Sequence, residues 1–228
     1  YEVRRRDWSS DVCSSDLMAG NDTQGLRYGM IETPEKYYLE WKEELNHVEG
    51  HKLDYHLGRM CNKQRFLQII HDFIVFDAGV KKTCRHNQFF GIEAAKQRIA
   101  KREGGIIWHT QGSGKSLTMV WLAKWIRENV SDSRVLIVTD RTELDEQIEK
   151  VFTGVEEEIY RTKSGADLVA TLNQPTPWLM CSLVHKFGRS SDADDDAATN
   201  EFIEQLKQSM PKDFKAKGNV FVFVDECH

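Results

Sequence analysis

No apolar run in this 228-residue sequence is long enough to cross a bilayer. A transmembrane helix needs about 20 predominantly apolar residues in succession. The longest apolar runs lie around residues 73–76, 106–108 and 220–224, and residues 1–17 lack the apolar core of a signal peptide. The sequence therefore predicts a protein without a membrane partner. We interpret residues 1–17 as a non-native stretch or a disordered tail.

Paired cysteines and an excess of positive charge are also missing. The five cysteines are scattered without a C-x-x-C pair, which favours reduced thiols and argues against a zinc site. The formal net charge is −5, so the chain is no polycation of the histone kind. DNA binding is still compatible with this charge, because a few placed amides and side chains can hold phosphates.

Strands and helices alternate through most of the sequence. Apolar runs predict strands at 105–108, 134–139, 178–182 and 219–224. Helical spacing predicts helices at 63–76, 87–102, 115–129, 143–152, 167–172 and 201–210. This alternation indicates an α/β fold with a doubly wound parallel sheet. Upstream, residues 18–41 are expected to form a turn, a short strand and a turn, with Tyr28, Tyr37, Tyr38 and Trp41 available for burial. The acidic run 190–199 is expected to be a solvated linker.

The segment HTQGSGKS, residues 109–116, lies between a predicted strand and a predicted helix, as a phosphate-binding loop does. Its two glycines allow backbone conformations in which successive N–H groups surround a phosphate, and the helix N-terminus adds partial positive charge. Lys115 is predicted to reach the β- and γ-phosphates, and Ser116 to hold Mg²⁺. The predicted ATP contacts in this loop are Gly112, Ser113, Gly114, Lys115, Ser116 and Leu117.

One position departs from the general G-x-x-x-x-G-K-[ST] pattern, because His109 stands where the first glycine would be. Superfamily 2 helicases and translocases often lack that glycine, so the departure favours them over small-molecule kinases. His109 is interpreted as a residue that packs within the loop. The alternative is a Ser/Gly turn that carries a lysine by chance.

The run VFVFVDECH at 220–228 predicts a buried strand whose end presents two adjacent carboxylates. In this arrangement Asp225 would bind Mg²⁺, and Glu226 would orient and deprotonate the water that attacks the γ-phosphate. His228 would transmit the nucleotide state to the nucleic acid. Alone, this run could be a polar strand end. Together with HTQGSGKS, it favours a complete nucleotide site in which Glu226 and Lys115 are the catalytic residues.

Longer motifs narrow the interpretation. The stretches RHNQFFGIEAA, GGIIWHTQGSGKSLTMVWLAKWI, RVLIVTDRTELDEQI, LMCSLVHKFG and VFVDECH resemble the motor of the R subunit of type I restriction-modification enzymes. The stretch NDTQGLRYGMIETPEKYYLEWKE resembles the end of that subunit's nuclease domain. The resemblance implies a RecA-like fold and a translocase that uses ATP and Mg²⁺ to move duplex DNA. It also implies modification and specificity subunits as partners, in the cytoplasm of a bacterium or archaeon.

Further residue roles follow from this resemblance. Gln88, in RHNQ, corresponds to the glutamine that reads the adenine edge; the alternative is an ordinary glutamine on a helix surface. The DNA backbone is expected to be contacted by residues that follow two of the predicted strands. These are Thr139, Arg141, Ser182 and Lys186, with His185 beside them; the alternative is two loops with ordinary polar residues.

The resemblance also divides the chain. Residues 1–17 are the tail, 18–45 the end of a nuclease domain, 46–83 a helical linker and 84–228 an incomplete first RecA-like domain. The nuclease residues are expected before Met18, and the second lobe with its arginine finger after His228. In this class of ATPase, the strand that follows the acidic motif at 225–226 in sequence lies in the centre of the sheet. We therefore expect the isolated chain to fold poorly and to hydrolyse ATP negligibly.

Two other functions fit parts of the sequence. A different superfamily 2 motor, such as a repair helicase, would share the nucleotide motifs but would lack an upstream nuclease. A nucleotide-binding module without turnover would need a degraded site. Lys115, Ser116, Asp225 and Glu226 are all present, which argues against degradation.

Overall fold

The computed structural model describes residues 17–43, 50–139, 142–183, 210 and 214–225. By its internal contacts the chain divides into an N-terminal unit, Tyr1–Ser113, and a C-terminal unit, Gly114–His228. Within the described residues, no helix combines the length and the apolar character that crossing a membrane requires. The predictions for residues 190–199 and 201–209 fall outside the described residues.

The N-terminal unit begins with a small antiparallel sheet. Strands β1 (Leu17–Asn21), β2 (Gly25–Gly29) and β3 (Leu39–Glu40) lie in the order β1-β2-β3, with a 3-10 helix at Glu35–Tyr37 before β3. The Asn21 side chain accepts backbone hydrogen bonds from the tight turn between β1 and β2. The predicted strand is therefore present as β2, and it has two partners that the sequence did not indicate.

Helices α1 (Lys52–Met60) and α2 (Lys63–Asp72) follow, and then a hairpin of β4 (Ile74–Asp77) and β5 (Val80–Thr83). The helix predicted at 63–76 is wrong beyond Asp72. Phe73 and Val75 are buried whereas Phe76 is exposed, which is the alternation of a strand and not the spacing of a helix. The prediction failed because short apolar runs satisfy both periods.

Helix α3 (His86–Ala100) confirms the helix predicted at 87–102. Its inner face buries Phe89, Ile92 and the Lys96 side chain. Lys96 Nζ lies 2.7 Å from Asp72 Oδ2 and 2.8 Å from Glu93 Oε1. A buried ammonium group needs such partners because leaving it unpaired away from water is costly.

Residues 105–108 do not form the predicted buried strand. They have no regular secondary structure, and the side chains of Ile106 and Trp108 are 79% and 87% exposed. An apolar strand is buried only where neighbouring strands supply ladder hydrogen bonds and cover its faces. Within the described part of the chain, no strand pairs with this segment.

The C-terminal unit is an α/β layer structure that confirms the predicted class. Its elements are α4 (Lys115–Asn129), β6 (Ser133–Thr139), α5 (Thr142–Gly154), β7 (Tyr160–Arg161), α6 (Gly165–Leu172), β8 (Leu179–Leu183) and β9 (Asn219–Val224). The strands form a parallel sheet in the order β7-β8-β6-β9. Because parallel strands end at the same edge, residues that follow β6, β8 and β9 are brought close together.

Strand β9 is less buried than its sequence predicts. Val222 and Val224 are 54% and 51% exposed, although every residue of the run from Val220 to Val224 is apolar. In the described sheet β9 is an outer strand that pairs with β6. The prediction of a fully buried strand was wrong because apolar composition does not state whether a neighbour covers both sides.

Arg134, near the start of β6, connects the segments that surround the sheet. Its side chain is 2% exposed and carries no carboxylate partner among the described residues. Instead it donates, at 2.6–3.4 Å, to the backbone carbonyl oxygens of Thr171, Leu172, Gln174, Pro177 and Lys217. The first two lie at the carboxyl end of α6, where a cation is favoured, and Lys217 leads into β9.

Candidate nucleotide-binding site

The first half of the predicted phosphate-binding loop is a closed turn in the N-terminal unit. Ser113 is buried, and its Oγ donates to the Thr110 carbonyl at 2.6 Å. Gly112 has a φ of 74°, a conformation that other residues rarely adopt. The Arg85 guanidinium donates to the Gly112 carbonyl at 3.3 Å. The glycine requirement inferred from the sequence is therefore present in the backbone.

The second half of the loop begins the C-terminal unit. Gly114, with a φ of 87°, is the N-cap of α4, and it supplies no side-chain acceptor to the first turn of that helix. Thr118 Oγ1 donates back to the Gly114 carbonyl at 3.2 Å. Lys115, Ser116 and Leu117 therefore form the first turn of a 15-residue helix, whose N-terminus favours an anion.

Lys115 and Asp225 meet in the C-terminal unit although 110 positions separate them in the sequence. Lys115 Nζ lies 3.9 Å from Asp225 Oδ1, and the Asp225 side chain is only 9% exposed. The Asp225 N–H donates to the Val138 carbonyl at 2.9 Å, which holds this residue beside β6 immediately after β9. The fold thus brings the predicted phosphate-binding lysine and the predicted metal-binding carboxylate to one edge of the sheet.

The donor atoms in this unit fit Mg²⁺. Ser116 offers a hydroxyl and Asp225 a carboxylate, and Mg²⁺ prefers such oxygen ligands while it keeps several waters and substrate phosphates. The described residues contain no cluster of three or more His, Cys, Asp and Glu side chains around a possible metal. Glu226 and His228 lie outside the described residues.

Gln88 lies in the first turn of α3, where its side chain is 2% exposed. Its Oε1 accepts a hydrogen bond from the Arg85 N–H at 2.8 Å, so the amide oxygen caps the helix. An adenine contact through this oxygen would have to share or replace that bond. The adenine-reading role of Gln88 stays a prediction.

Two substitutions separate the capping role of Gln88 from adenine reading. Gln88→Ala removes the acceptor and should lower the stability of the chain by about 1 kcal/mol. Gln88→Glu keeps an acceptor that helix N-termini favour, so its thermal midpoint should stay near that of the native chain. If the amide also reads adenine, Gln88→Glu should weaken ATP binding about tenfold in a calorimetric titration. Unchanged ATP affinity in Gln88→Glu would leave only the capping role.

The predicted DNA-contacting hydroxyls lie at the carboxyl ends of neighbouring strands. Ser182 pairs in register with Val138, and Thr139 pairs with Leu183. Both hydroxyl-bearing side chains are buried; Ser182 Oγ accepts from Thr162 Oγ1 at 2.8 Å, and Thr139 Oγ1 has no hydrogen-bond partner in the described residues. A direct DNA contact would require them to become exposed, so it stays a prediction. Arg141, His185 and Lys186 lie outside the described residues.

An open cavity of about 650 Å³ lies in the N-terminal unit beside the loop. Its walls are residues 36–40 with Lys42, residues 85–87 at the start of α3, and residues 108–113 of the loop. Burial lowers the pKa of His86, and a hydrogen bond with the Glu40 backbone partly opposes that shift. Tyr37 and Tyr38 were expected to supply buried aromatic rings, whereas both residues line this cavity and Tyr37 is exposed.

A predicted phosphate-binding loop at the start of a helix, together with an acidic residue directly after a parallel strand, is the arrangement typical of P-loop nucleotide-binding proteins. Residues 87–228 match the model of the SWI2/SNF2 ATPase family. Since this match covers more than half of the chain, the chain belongs to the SWI2/SNF2 ATPase family. A RecA-like, helicase-type ATPase fold follows from that membership.

Relatives with assigned functions are endonuclease subunits of type I restriction enzymes. The putative MjaIXP subunit of Methanocaldococcus jannaschii is 32% identical over 188 residues, which are 77% of this chain and 16% of that protein. The HindI subunit of Haemophilus influenzae is 28% identical over 156 residues, or 60% of this chain and 15% of that protein. The C-terminal part of the putative MpnIIP subunit of Mycoplasma pneumoniae is 28% identical, with 83% of this chain and 93% of that protein covered.

These relatives confirm the resemblance inferred from the motifs: the chain is homologous to type I restriction enzyme endonuclease subunits. The chain spans about one sixth of the length of the M. jannaschii and H. influenzae proteins. The activity and partners of a whole subunit therefore belong to the proposal below.

Proposed function

We propose that this chain supplies the nucleotide-binding lobe of an ATP-driven DNA translocase in a type I restriction-modification enzyme. The observation that carries the proposal is the approach of Lys115 Nζ to Asp225 Oδ1, 3.9 Å apart. A phosphate-binding lysine and a metal-binding carboxylate must both reach the same phosphates, so they have to lie together. The homology to restriction endonuclease subunits supports the assignment to that system.

Each residue of the site has a defined task in this proposal. Lys115 binds the β- and γ-phosphates. Gly112, Ser113 and Gly114 of the loop, with the first-turn amides of α4 that include Leu117, surround them. Ser116 and Asp225 would hold Mg²⁺, which when bound neutralises charge on the phosphates. Glu226 orients the attacking water and accepts its proton.

DNA contacts are proposed for the loops that follow β6 and β8. Arg141 and Lys186 are cationic residues that follow these strands in sequence, and Thr139 and Ser182 precede them. The strand ends adjoin Asp225, since its N–H bonds to Val138 in β6. A change at the metal-binding carboxylate could thus reach the loop after β6 through a single backbone hydrogen bond. This proximity supports a coupling between the nucleotide that is bound and the affinity of the chain for DNA.

The partners proposed for the parent enzyme are duplex DNA and the modification and specificity subunits. The support is the homology to proteins that are subunits of type I restriction enzymes. The proposed location is the cytoplasm of a bacterium or archaeon, where such enzymes meet incoming DNA. We propose that the isolated chain binds nucleotide but turns it over negligibly.

Glu226→Gln in the assembled restriction complex tests the hydrolytic proposal. Removing a general base should lower DNA-stimulated ATP hydrolysis by about 10²- to 10⁴-fold, while ATP binding stays within twofold because the loop and Lys115 are intact. Glu128→Gln, on the exposed side of α4, is the matched control and should behave like the native enzyme. Turnover in Glu226→Gln equal to that of the control would refute the assigned role. ATP binding without turnover in the native complex would favour a nucleotide-binding module.

A further inference from the structure

Thr139, the last residue of β6, buries a hydroxyl group without satisfying it. The side chain is 0% exposed, and within the part of the chain that the structure describes its Oγ1 has no hydrogen-bond partner. Burying a hydroxyl without a partner is costly, so folded proteins contain few such groups. Those that native proteins keep are often tied to a binding or catalytic role.

The register of the parallel sheet places Thr139 beside Asp225. Val138 pairs with Val224, and the Asp225 N–H donates to the Val138 carbonyl at 2.9 Å. Continuing this register by one residue puts Thr139 opposite Asp225. Residues opposite each other on neighbouring strands lie on the same face of the sheet. The unsatisfied hydroxyl and the carboxylate proposed to bind Mg²⁺ therefore share one face, at the edge that Lys115 also reaches, 3.9 Å from Asp225 Oδ1.

The hydroxyl of Ser182, also a predicted DNA contact, has different surroundings. Ser182 pairs with Val138, and Val138 and Thr139 are consecutive in β6, so Ser182 and Thr139 lie on opposite faces. Ser182 Oγ accepts a hydrogen bond from Thr162 Oγ1 at 2.8 Å. Of these two hydroxyls, the unsatisfied one is thus the one on the face of Asp225.

We propose that Thr139 is a positioning residue for Asp225, whose carboxylate accepts a hydrogen bond from the Thr139 hydroxyl when nucleotide is bound. This inference rests on the proposed function, because it takes Lys115 as a phosphate ligand and Asp225 as a metal ligand. The phosphates of a bound nucleotide attract the Lys115 ammonium. The Asp225 side chain, which is only 9% exposed, then needs another donor.

The Thr139 hydroxyl can supply that donor by rotating about its C–O bond, without any movement of the backbone. A hydrogen bond to one carboxylate oxygen fixes the plane of the carboxylate and leaves the other oxygen for Mg²⁺. Supporting hydrogen bonds of this kind orient the carboxylates that ligate metals in proteins, and losing one typically weakens metal affinity 10- to 100-fold.

The test measures how much Mg²⁺ the full chain needs in order to bind ATP, by calorimetric titration. Thr139→Val keeps the shape and removes the hydroxyl, and it should raise the Mg²⁺ concentration for half-maximal ATP binding about tenfold. ATP binding in EDTA should stay within twofold of the native value. Thr139→Ser keeps the hydroxyl and should restore the native Mg²⁺ requirement. Because the native hydroxyl is unsatisfied among the described residues, Thr139→Val should not lower the urea midpoint of unfolding.

Thr162→Val is the matched control, because it removes a buried hydroxyl from the other face of the sheet. That hydroxyl donates to Ser182 Oγ at 2.8 Å and contacts the Cys181 carbonyl at 3.2 Å. Thr162→Val should lower the urea midpoint and leave the Mg²⁺ requirement within twofold of the native value. A Thr139→Val chain that behaves like Thr162→Val in both measurements would overturn the positioning role.

Asp225→Asn separates this inference from the proposed function, and it should raise the Mg²⁺ requirement at least as much as Thr139→Val. If it does so while Thr139→Val keeps the native requirement, the positioning role is overturned and the metal site stands. If Asp225→Asn also keeps the native requirement, Asp225 is not a metal ligand and both proposals fail. Weaker duplex DNA binding by Thr139→Val at a native Mg²⁺ requirement would make Thr139 a DNA contact instead.

Discussion

Lys115→Ala is expected to reduce DNA-stimulated ATP hydrolysis of the assembled enzyme by at least about a hundredfold. The ammonium group lies 3.9 Å from Asp225 Oδ1 at the N-terminus of α4, where the proposed site places the transferred phosphate. Alanine removes the positive charge that offsets the charge developing on the phosphate oxygens. Initial rates of phosphate release over a range of ATP concentrations measure the effect on kcat and KM.

Lys124→Ala is the matched control because it removes a lysine from the same helix at a position away from the loop. It should leave the rate within twofold of the native value. The fold should tolerate Lys115→Ala, since an ion pair with a partly exposed lysine contributes at most about 1 kcal/mol. Equal rates for Lys115→Ala and Lys124→Ala would remove Lys115 from the mechanism.

Arg134→Met is expected to lower the free energy of unfolding by roughly 3–5 kcal/mol. The buried guanidinium satisfies five backbone carbonyls, of which two end α6 and one leads into β9. Methionine fills similar volume but donates nothing, so the carbonyls of Gln174, Pro177 and Lys217 lose this donor, whereas those of Thr171 and Leu172 keep backbone donors. Urea unfolding, followed by circular dichroism, measures the loss.

Two further variants identify the cause. Arg134→Lys keeps the charge but places its donors on one nitrogen, which cannot reach carbonyls on several sides; its loss of stability should be intermediate. Arg127→Met removes a half-exposed arginine that pairs with Glu157 at 2.8 Å, and it should change stability by at most about 1 kcal/mol. An Arg134→Met chain as stable as Arg127→Met would show that water or other donors replace the guanidinium.

The elements with the strongest sequence signals were predicted well. Helix α4 begins and ends at the predicted residues, and β6, β8 and β9 lie within one or two residues of their predicted bounds. Two patterns indicated their structures clearly. A glycine-rich loop before a long helical pattern predicts the start of a helix, and an uninterrupted apolar run such as RVLIVT predicts a strand of a parallel sheet. Because adjacent parallel strands end at the same edge, the approach of Lys115 to Asp225 also follows from the order of the motifs.

The errors lie where tertiary neighbours decide the outcome. Residues 105–108 and β9 have similar apolar composition, yet the first has no strand and the second is a half-exposed outer strand. Composition shows that a segment can be buried, whereas the available partners determine whether it is. The hairpin of β4 and β5 was missed because Phe73 fits both a helical stripe and an alternating strand.

In the candidate site, too, local motifs predicted some features, whereas others depend on the tertiary structure. The loop and Asp225 could be proposed as site residues from motifs alone, since their chemistry fixes the spacing of a few residues. The exposure of Tyr37 was not predictable, because it depends on contacts between segments far apart in sequence. The capping role of Gln88 is local, since its side chain bonds to Arg85 three residues earlier, but arginine is not one of the residues that usually begin a capping box. No local pattern states that residues 36–42 and 109–113 line one cavity.

ATP titration of the full chain in Mg²⁺ buffer, by calorimetry, tests the nucleotide site most directly. The proposed site predicts saturable binding of one ATP per native chain, binding at least tenfold weaker in Lys115→Ala, and native affinity in Lys124→Ala. Equal affinity in the native chain and Lys115→Ala, or no saturable binding to the folded native chain, would contradict it.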